Sequence, residues 1–218
     1  SGGDDEERCT MEANEEKAQF IHMKHRCYSP IQQSHKAFVA DLAFIPPTVL
    51  VDKRAPSEGK HTHLISCSED GIVNIWDTRN VDKDTLKSSN ETQWRPFLRL
   101  DLYKQDGSGE LGLSRVLLEK DQKFPHFWAL SDEGDLVMID WSVRPVQTSD
   151  DAPKIAEYVK RTYDSEKENR PGLALERSPF FPNLILTVHN FYFALFKISM
   201  EAYEKPIFKS MNTSGAHN

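Results

Sequence analysis

The side chains able to do chemistry gather between residues 34 and 79 of this 218-residue sequence. His35, Ser66 and Asp70 supply the three residue types of a Ser-His-Asp nucleophilic triad, and Trp76 follows them. The same set has a second use. A buried Trp Nε1–H needs an acceptor, Ser can both accept and donate, and an imidazole can pass the chain on to a turn carboxylate. The nucleophilic use needs a substrate cleft and oxyanion donors, neither of which the sequence implies, whereas the second use needs only burial. Two histidine pairs could share a metal ion, His22 with His25 and His61 with His63. No third ligand stands near the first pair, so surface histidines are expected there, and polar loop residues at the second. Cys9, Cys27 and Cys67 have no C-x-x-C spacing, which points to neither a zinc knuckle nor a disulfide framework but to reduced thiols. No G-x-x-x-x-G-K-[ST] loop is present to cradle phosphates. Catalytic, cofactor-binding and metal-ligating residues are therefore not assigned, and no cofactor is expected.

A formal charge of -7 and a pI near 5.6 argue against nucleic acid or an anionic membrane surface as partner, since either needs Lys and Arg to neutralise phosphates. An acidic surface suits a protein partner better. No apolar run approaches the roughly 20 residues of a membrane helix, and no apolar stretch follows the N-terminus, so a soluble, intracellular protein is expected.

The elements that must position these side chains are short strands. Apolar runs at 38–45, 64–68 and 72–76 are separated by a long Pro- and Gly-bearing loop at 46–63 and by the tight-turn signal Glu69-Asp70-Gly71. A second set follows at 111–118, 126–130 and 136–139, with the turn Ser131-Asp132-Glu133-Gly134 standing where Ser68-Glu69-Asp70-Gly71 stood. Aligning the turns sets Ile139 opposite Trp76 and Asp140 opposite Asp77, with Trp141 one place later. This second unit lacks a His-Asp-Trp set, so packing must hold it, with Phe127 and Trp128 available. The third set is 172–177, 183–189 and 191–198, with Phe191 and Phe196 in aromatic places and a Pro179/Pro182 connection between its first two runs. Outer strands are expected at 27–31, 94–103, 155–159 and 205–209. Residues 1–18 read as an acidic loop or tail, with a short helix around 11–20 as the competing reading.

SHKAFVADLAFIPPTVLVDKRAPSEGKHTHLISCSEDGIVNIWDTR resembles a WD-repeat blade. In such a blade a His before the innermost strand, a Ser or Thr on the second, an Asp in the second turn and the Trp of the third form one hydrogen-bonded relay. His35, Ser66, Asp70 and Trp76 occupy those four places. The resemblance implies an all-β, WD40-type β-propeller of which about three blades are visible. The units are an acidic loop or tail at 1–26 with room for an outer strand of a preceding blade, a first blade and following loop at 27–93, a degenerate second blade at 94–152, a third blade and the start of the next outer strand at 153–210, and a tail at 211–218. Three blades do not close a ring, so further blades are expected outside these residues.

SPIQQSHKAFVADLAFIP, LISCSEDGIVNIWDTR, ALSDEGDLVMIDW, LERSPFFPNLILTVHNFYFALFKI and KPIF together resemble successive blades of a dynein intermediate chain, most like the axonemal inner-arm type. Ser34 to Lys36, the inverted Asp140-Trp141 and the Ser178-Pro179-Phe180-Phe181 turn are the telling elements, and a plain WD repeat implies none of them. The resemblance implies a non-catalytic scaffold of a microtubule motor complex whose propeller docks the tail of a dynein heavy chain. It implies as partners that heavy chain, a second intermediate chain and light chains of the same complex, with the microtubule doublet reached indirectly. The implied location is the axoneme of a cilium or flagellum, after assembly in the cytoplasm. The loops 46–60 and 144–151 are candidate grips for a partner. A WD-repeat adaptor outside motility, such as a cargo or ubiquitin-ligase receptor, and a cytoplasmic dynein intermediate chain are the alternatives.

Overall fold

The computed structural model describes residues 28–51, 60–80, 94–143, 157–163, 170–198 and 205–210. Among them lie twelve strands: β1 (Val39–Phe44), β2 (His63–Ser68), β3 (Ile72–Asp77), β4 (Leu98–Asp101), β5 (Leu113–Leu117), β6 (His126–Ser131), β7 (Leu136–Asp140), β8 (Val159–Tyr163), β9 (Gly172–Arg177), β10 (Leu184–His189), β11 (Tyr192–Lys197) and β12 (Phe208–Lys209). They form three antiparallel four-stranded sheets, each taking its strands in chain order: β1 to β4, β5 to β8 and β9 to β12. Short turns make this meander the local solution. Gly71 and Gly134 sit at φ +71° and +100° in the β2–β3 and β6–β7 turns, a left-handed backbone that costs glycine nothing.

Strands buried on both faces need a neighbour on both faces. All six residues of β3 are buried, as are five of the six in β2. Ile65, Cys67, Val73, Ile75 and Leu100 of the first sheet share one core with Phe127, Ala129, Val137 and Ile139 of the second. Trp128, Leu130, Leu136 and Tyr163, from the second sheet's other face, share another with Ile185, Tyr192, Ala194 and Phe196 of the third. Each large side chain so buried contributes about 1.5–3 kcal/mol, which makes sheet stacking the main stabilising term.

The three sheets carry one irregularity in common. Val39 pairs with Ser68 and Asp41 with Cys67, leaving Ala40 as an extra residue in β1. Leu113 pairs with Ser131 and Arg115 with Leu130, leaving Ser114 extra in β5. Gly172 pairs with His189 and Ala174 with Val188, leaving Leu173 extra in β9. Each innermost strand thus bulges at the same register, where such a bulge bends the strand and strengthens its twist.

Several expected strands fall elsewhere. Of the strand expected at 27–31 only a bridge at Tyr28 is present, and a 3-10 turn at Ile31–Gln33 follows, because Pro30 fixes an extended backbone ahead of it (φ −68°, ψ 139°) and has no N–H to give a ladder. Residue 27 lies outside the described residues, and Tyr28 meets Trp94, whose N–H donates to its carbonyl at 2.8 Å. The strand expected at 155–159 runs instead over Val159–Tyr163, where Val159 and Tyr163 bury inward across from β7. Phe191, expected in an aromatic place of the third unit's last strand, is 73 % exposed in the β10–β11 turn at φ 76°. Tyr192 is the buried ring there. β4 and β8 close the first and second sheets although they lie in the sequence units 94–152 and 153–210, so each of those units begins with the outermost strand of the preceding sheet. Residues 1–27 and 211–218 lie outside the described residues.

Candidate functional site: three blades and one buried position

His35, Ser66, Asp70 and Trp76 meet within the first sheet. Trp76 Nε1 donates to Ser66 Oγ at 2.8 Å, Ser66 Oγ lies 2.8 Å from His35 Nε2, and His35 Nδ1 lies 3.4 Å from Asp70 Oδ1. One arrangement of protons gives every donor an acceptor: Trp76 donates to Ser66, Ser66 to His35, and His35 to Asp70. Asn74 Nδ2 approaches His35 Nε2 at 3.5 Å from the neighbouring strand. Asp70 then secures the loop ahead of β1, its carboxylate accepting the N–H groups of Lys36 (2.5 Å) and Ile72 (3.0 Å). Burial alone would raise the Asp70 carboxyl pKa, but those two backbone donors and His35 outweigh it and hold the carboxyl below the ordinary range.

The Ser-His-Asp order is that of a nucleophilic triad, but Trp76 ends the chain. The serine oxygen that would attack accepts an indole N–H, and the side chain of His35 is 1 % exposed. A substrate carbonyl has no approach to an oxygen so enclosed. The set ties strands together.

The strand end beyond Trp76 is fastened separately. Asp77 accepts a two-pronged contact from the Arg79 guanidinium, Nε to Oδ1 and Nη2 to Oδ2, each 2.9 Å. Trp94 Nε1 donates to the Asp77 carbonyl at 3.1 Å, and its ring lies 5.0 Å from that of Trp76. Asp140, the residue opposite Asp77, instead accepts from Ser142 N–H and Oγ at 2.8 and 2.7 Å. Trp141 is buried against Phe127, with ring centroids 5.9 Å apart.

The second sheet solves the same position without polar groups. By register, Ala129 stands for Ser66, Val137 for Asn74 and Ile139 for Trp76, and all three are completely buried. Glu133, in the place of Asp70, points to the Lys104 ammonium at 2.6 Å. Asp132 beside it is the strained group: burial first, then Glu133 and Glu69, push its carboxyl pKa up.

The third sheet has a relay of its own, which the sequence reading did not find. Thr187 takes the register of Ser66 and Phe196, 1 % exposed, that of Trp76. The imidazole comes from the strand itself: His189 Nε2 lies 2.9 Å from Thr187 Oγ1 and its Nδ1 3.2 Å from the Arg170 carbonyl. The ring stacks on Tyr192 at 4.5 Å and 10°. The signal was the two-residue period, which sets Ile185, Thr187 and His189 on one face.

The other candidates separate. His61 precedes β2 and its Nδ1 meets the Ile45 carbonyl at 3.0 Å, while buried His63 Nδ1 meets Thr62 Oγ1 at 3.0 Å. They do not converge, and no group of three or more His, Cys, Asp or Glu among the described residues could hold a metal ion. His22 and His25 lie outside the described residues, as do 52–59 and 144–151 of the two candidate loops. Cys67 is a buried free thiol whose pKa burial, and next the Asp41 charge, push up to about 12. No helix among the described residues is long and apolar enough to cross a membrane.

Three stacked four-stranded meanders, with the His-Ser-Asp-Trp set across the first, define a partial WD-type β-propeller. The chain resembles the WD-repeat dynein intermediate chains. It is 24 % identical to "Dynein axonemal intermediate chain 3" of Danio rerio over an alignment of 252 residues covering 86 % of this chain and 26 % of the relative. It is 20 % identical to the protein of the same name from Macaca fascicularis, over 85 % of this chain and 28 % of the relative. The chain therefore spans about a quarter of the length of the curated relatives it matches. Among solved structures, the C-terminal WD40 domain of Sif2 aligns with a TM-score of 0.45 at 12 % identity, over 76 % of this chain and 35 % of that one. No protein-family model matches the chain.

Proposed function

We propose that this chain is part of a non-catalytic scaffold subunit of an axonemal dynein, docking the tail of a dynein heavy chain in the cilium or flagellum axoneme. A second intermediate chain and light chains of the complex would assemble beside it in the cytoplasm, with the microtubule doublet reached through them. The similarity to two axonemal dynein intermediate chains over some 85 % of the chain is the observation that carries this reading. The units 27–93, 94–152 and 153–210 are the repeats of that scaffold, and His35, Ser66, Asp70 and Trp76 serve it by stiffening the first.

Docking on such a scaffold works by shape. Stacked sheets hold their loops still, and a few large side chains in those loops supply most of the affinity. Phe180 and Phe181 are suited to this, being 84 % and 61 % exposed in the β9–β10 connection. Ser178 Oγ accepts the N–H groups of both, at 3.3 and 3.1 Å, so the turn that presents them is ordered.

The test is affinity capture of the tagged full-length protein from axonemal extract. Dynein heavy chain in the wild-type capture, reduced by Phe180→Ala with Phe181→Ala, supports the reading. Heavy chain absent from the wild-type capture contradicts it and favours an adaptor outside motility. A hydrolase activity abolished by Ser66→Ala would instead reinstate the nucleophilic reading.

A further inference from the structure

We infer that Arg115 is the positioning residue that couples the three sheets into one unit. Its guanidinium collects the carbonyls of all three bulge residues. Nη1 donates to Ala40 at 3.1 Å and to Ser114 at 2.7 Å, and Nε donates to Leu173 at 2.7 Å.

A bulge leaves its extra residue outside the ladder, so the carbonyl there needs another donor. Three such carbonyls from three innermost strands face one place. A planar fork with five donors can serve acceptors in several directions, which a single ammonium on a flexible stem cannot do in fixed geometry. Asp41 completes the junction with the opposite sign. It stands in β1 at the register that Arg115 holds in β5, and its Oδ2 accepts the Val116 N–H at 3.0 Å. The first sheet thus gives the second an acceptor, and the second gives donors to the first and third.

Other polar links join two of the sheets each. Arg177 of β9 pairs with Glu119 beyond β5, and Thr48 Oγ1 donates to the Gln122 carbonyl at 2.5 Å. Arg115 joins three strands, from residues 58 and 75 positions away in sequence as well as its own neighbour. Opening β1 or β9 therefore costs a bond to β5, and opening β5 costs bonds to both, so one side chain ties the flanking innermost strands to the central one.

Hydrogen exchange of the full-length protein, read by mass spectrometry on wild type, Arg115→Met and Arg115→Lys, tests this. The expected result for the methionine variant is exchange faster by roughly tenfold in β1 and β9, relative to β3, β7 and β11 of the same sample. Lysine, which keeps the charge and loses the fork, should give the same pattern to a smaller degree. It is also the variant that reads the effect should methionine prevent folding. Exchange that rises equally in every strand, rises only in β5, or stays at the wild-type value in the lysine variant would overturn the assignment.

Discussion

The first and second sheets place different chemistry at one structural position. In the first, Ser66, Asn74, His35 and Trp76 form a hydrogen-bonded chain inside the protein, and in the second Ala129, Val137 and Ile139 fill the space with hydrocarbon. In the first, the Trp76, Ser66 and His35 donors each have an acceptor, although the buried Asn74 Oδ1 has no partner, and in the second these positions need none. A buried polar chain in which every donor has an acceptor contributes modestly, whereas one missing member leaves a donor or acceptor without water, at about 1–3 kcal/mol. The lesson is that these residues must change as a set, and the second sheet is the set changed. The third sheet, with Thr187 and His189 on one strand, keeps a shorter polar version.

Trp76→Ala breaks the comparison most severely. It removes a large buried ring from between Ser66 and Trp94, and we expect a loss of about 3–5 kcal/mol in the urea unfolding free energy. Trp76→Phe should lose much less, because the packing largely survives. Ala129→Ser tests the converse, a hydroxyl set among apolar neighbours in the second sheet, with an expected cost of about 1–3 kcal/mol by the same measurement. Thr187→Val is milder, at about 1 kcal/mol, since it removes one contact to His189 and keeps the shape.

The two turns should also respond oppositely to acid. Asp70 is held below its ordinary pKa of 3.8, so its stabilisation is fully present above that value and is lost as pH falls through the lower folded one. Asp132 is pushed above 3.8 by burial and by Glu133, so the folded state takes up its proton more readily and gains stability as pH falls through that raised value. Unfolding midpoints across the acid range should accordingly show a shallower acid loss for Asp70→Asn than for wild type. Asp132→Asn should be more stable than wild type near neutrality and should show a steeper acid loss.

Much of this was legible in the sequence where residue type is dictated. The relay could be read because His35, Ser66, Asp70 and Trp76 stand at the places the resemblance to a WD-repeat blade implies, and the turns because Gly71 and Gly134 mark a backbone that other residues avoid. The strand at Val159–Tyr163 was misplaced because 155–159 is more apolar, while the observed strand sets an exposed Lys160 and a half-buried Arg161 between the buried Val159 and Tyr163. Thr187 and His189 were not legible because both lie on one strand, whereas the first sheet's imidazole comes from the loop ahead of β1. The bulges had no signature at all. Ala40, Ser114 and Leu173 share no side-chain property, since what they have in common is a surplus position in a register that only pairing defines.

A double-mutant cycle on His35→Leu and Ser66→Ala tests most directly whether the first sheet is held by one connected set. Ser66→Ala alone should cost on the order of 1 kcal/mol, and the double variant should lose less than the sum of the two singles by about 0.5–3 kcal/mol, because each replacement already breaks the other's contact. Losses that simply add would mean that the two side chains act independently, and would contradict the account.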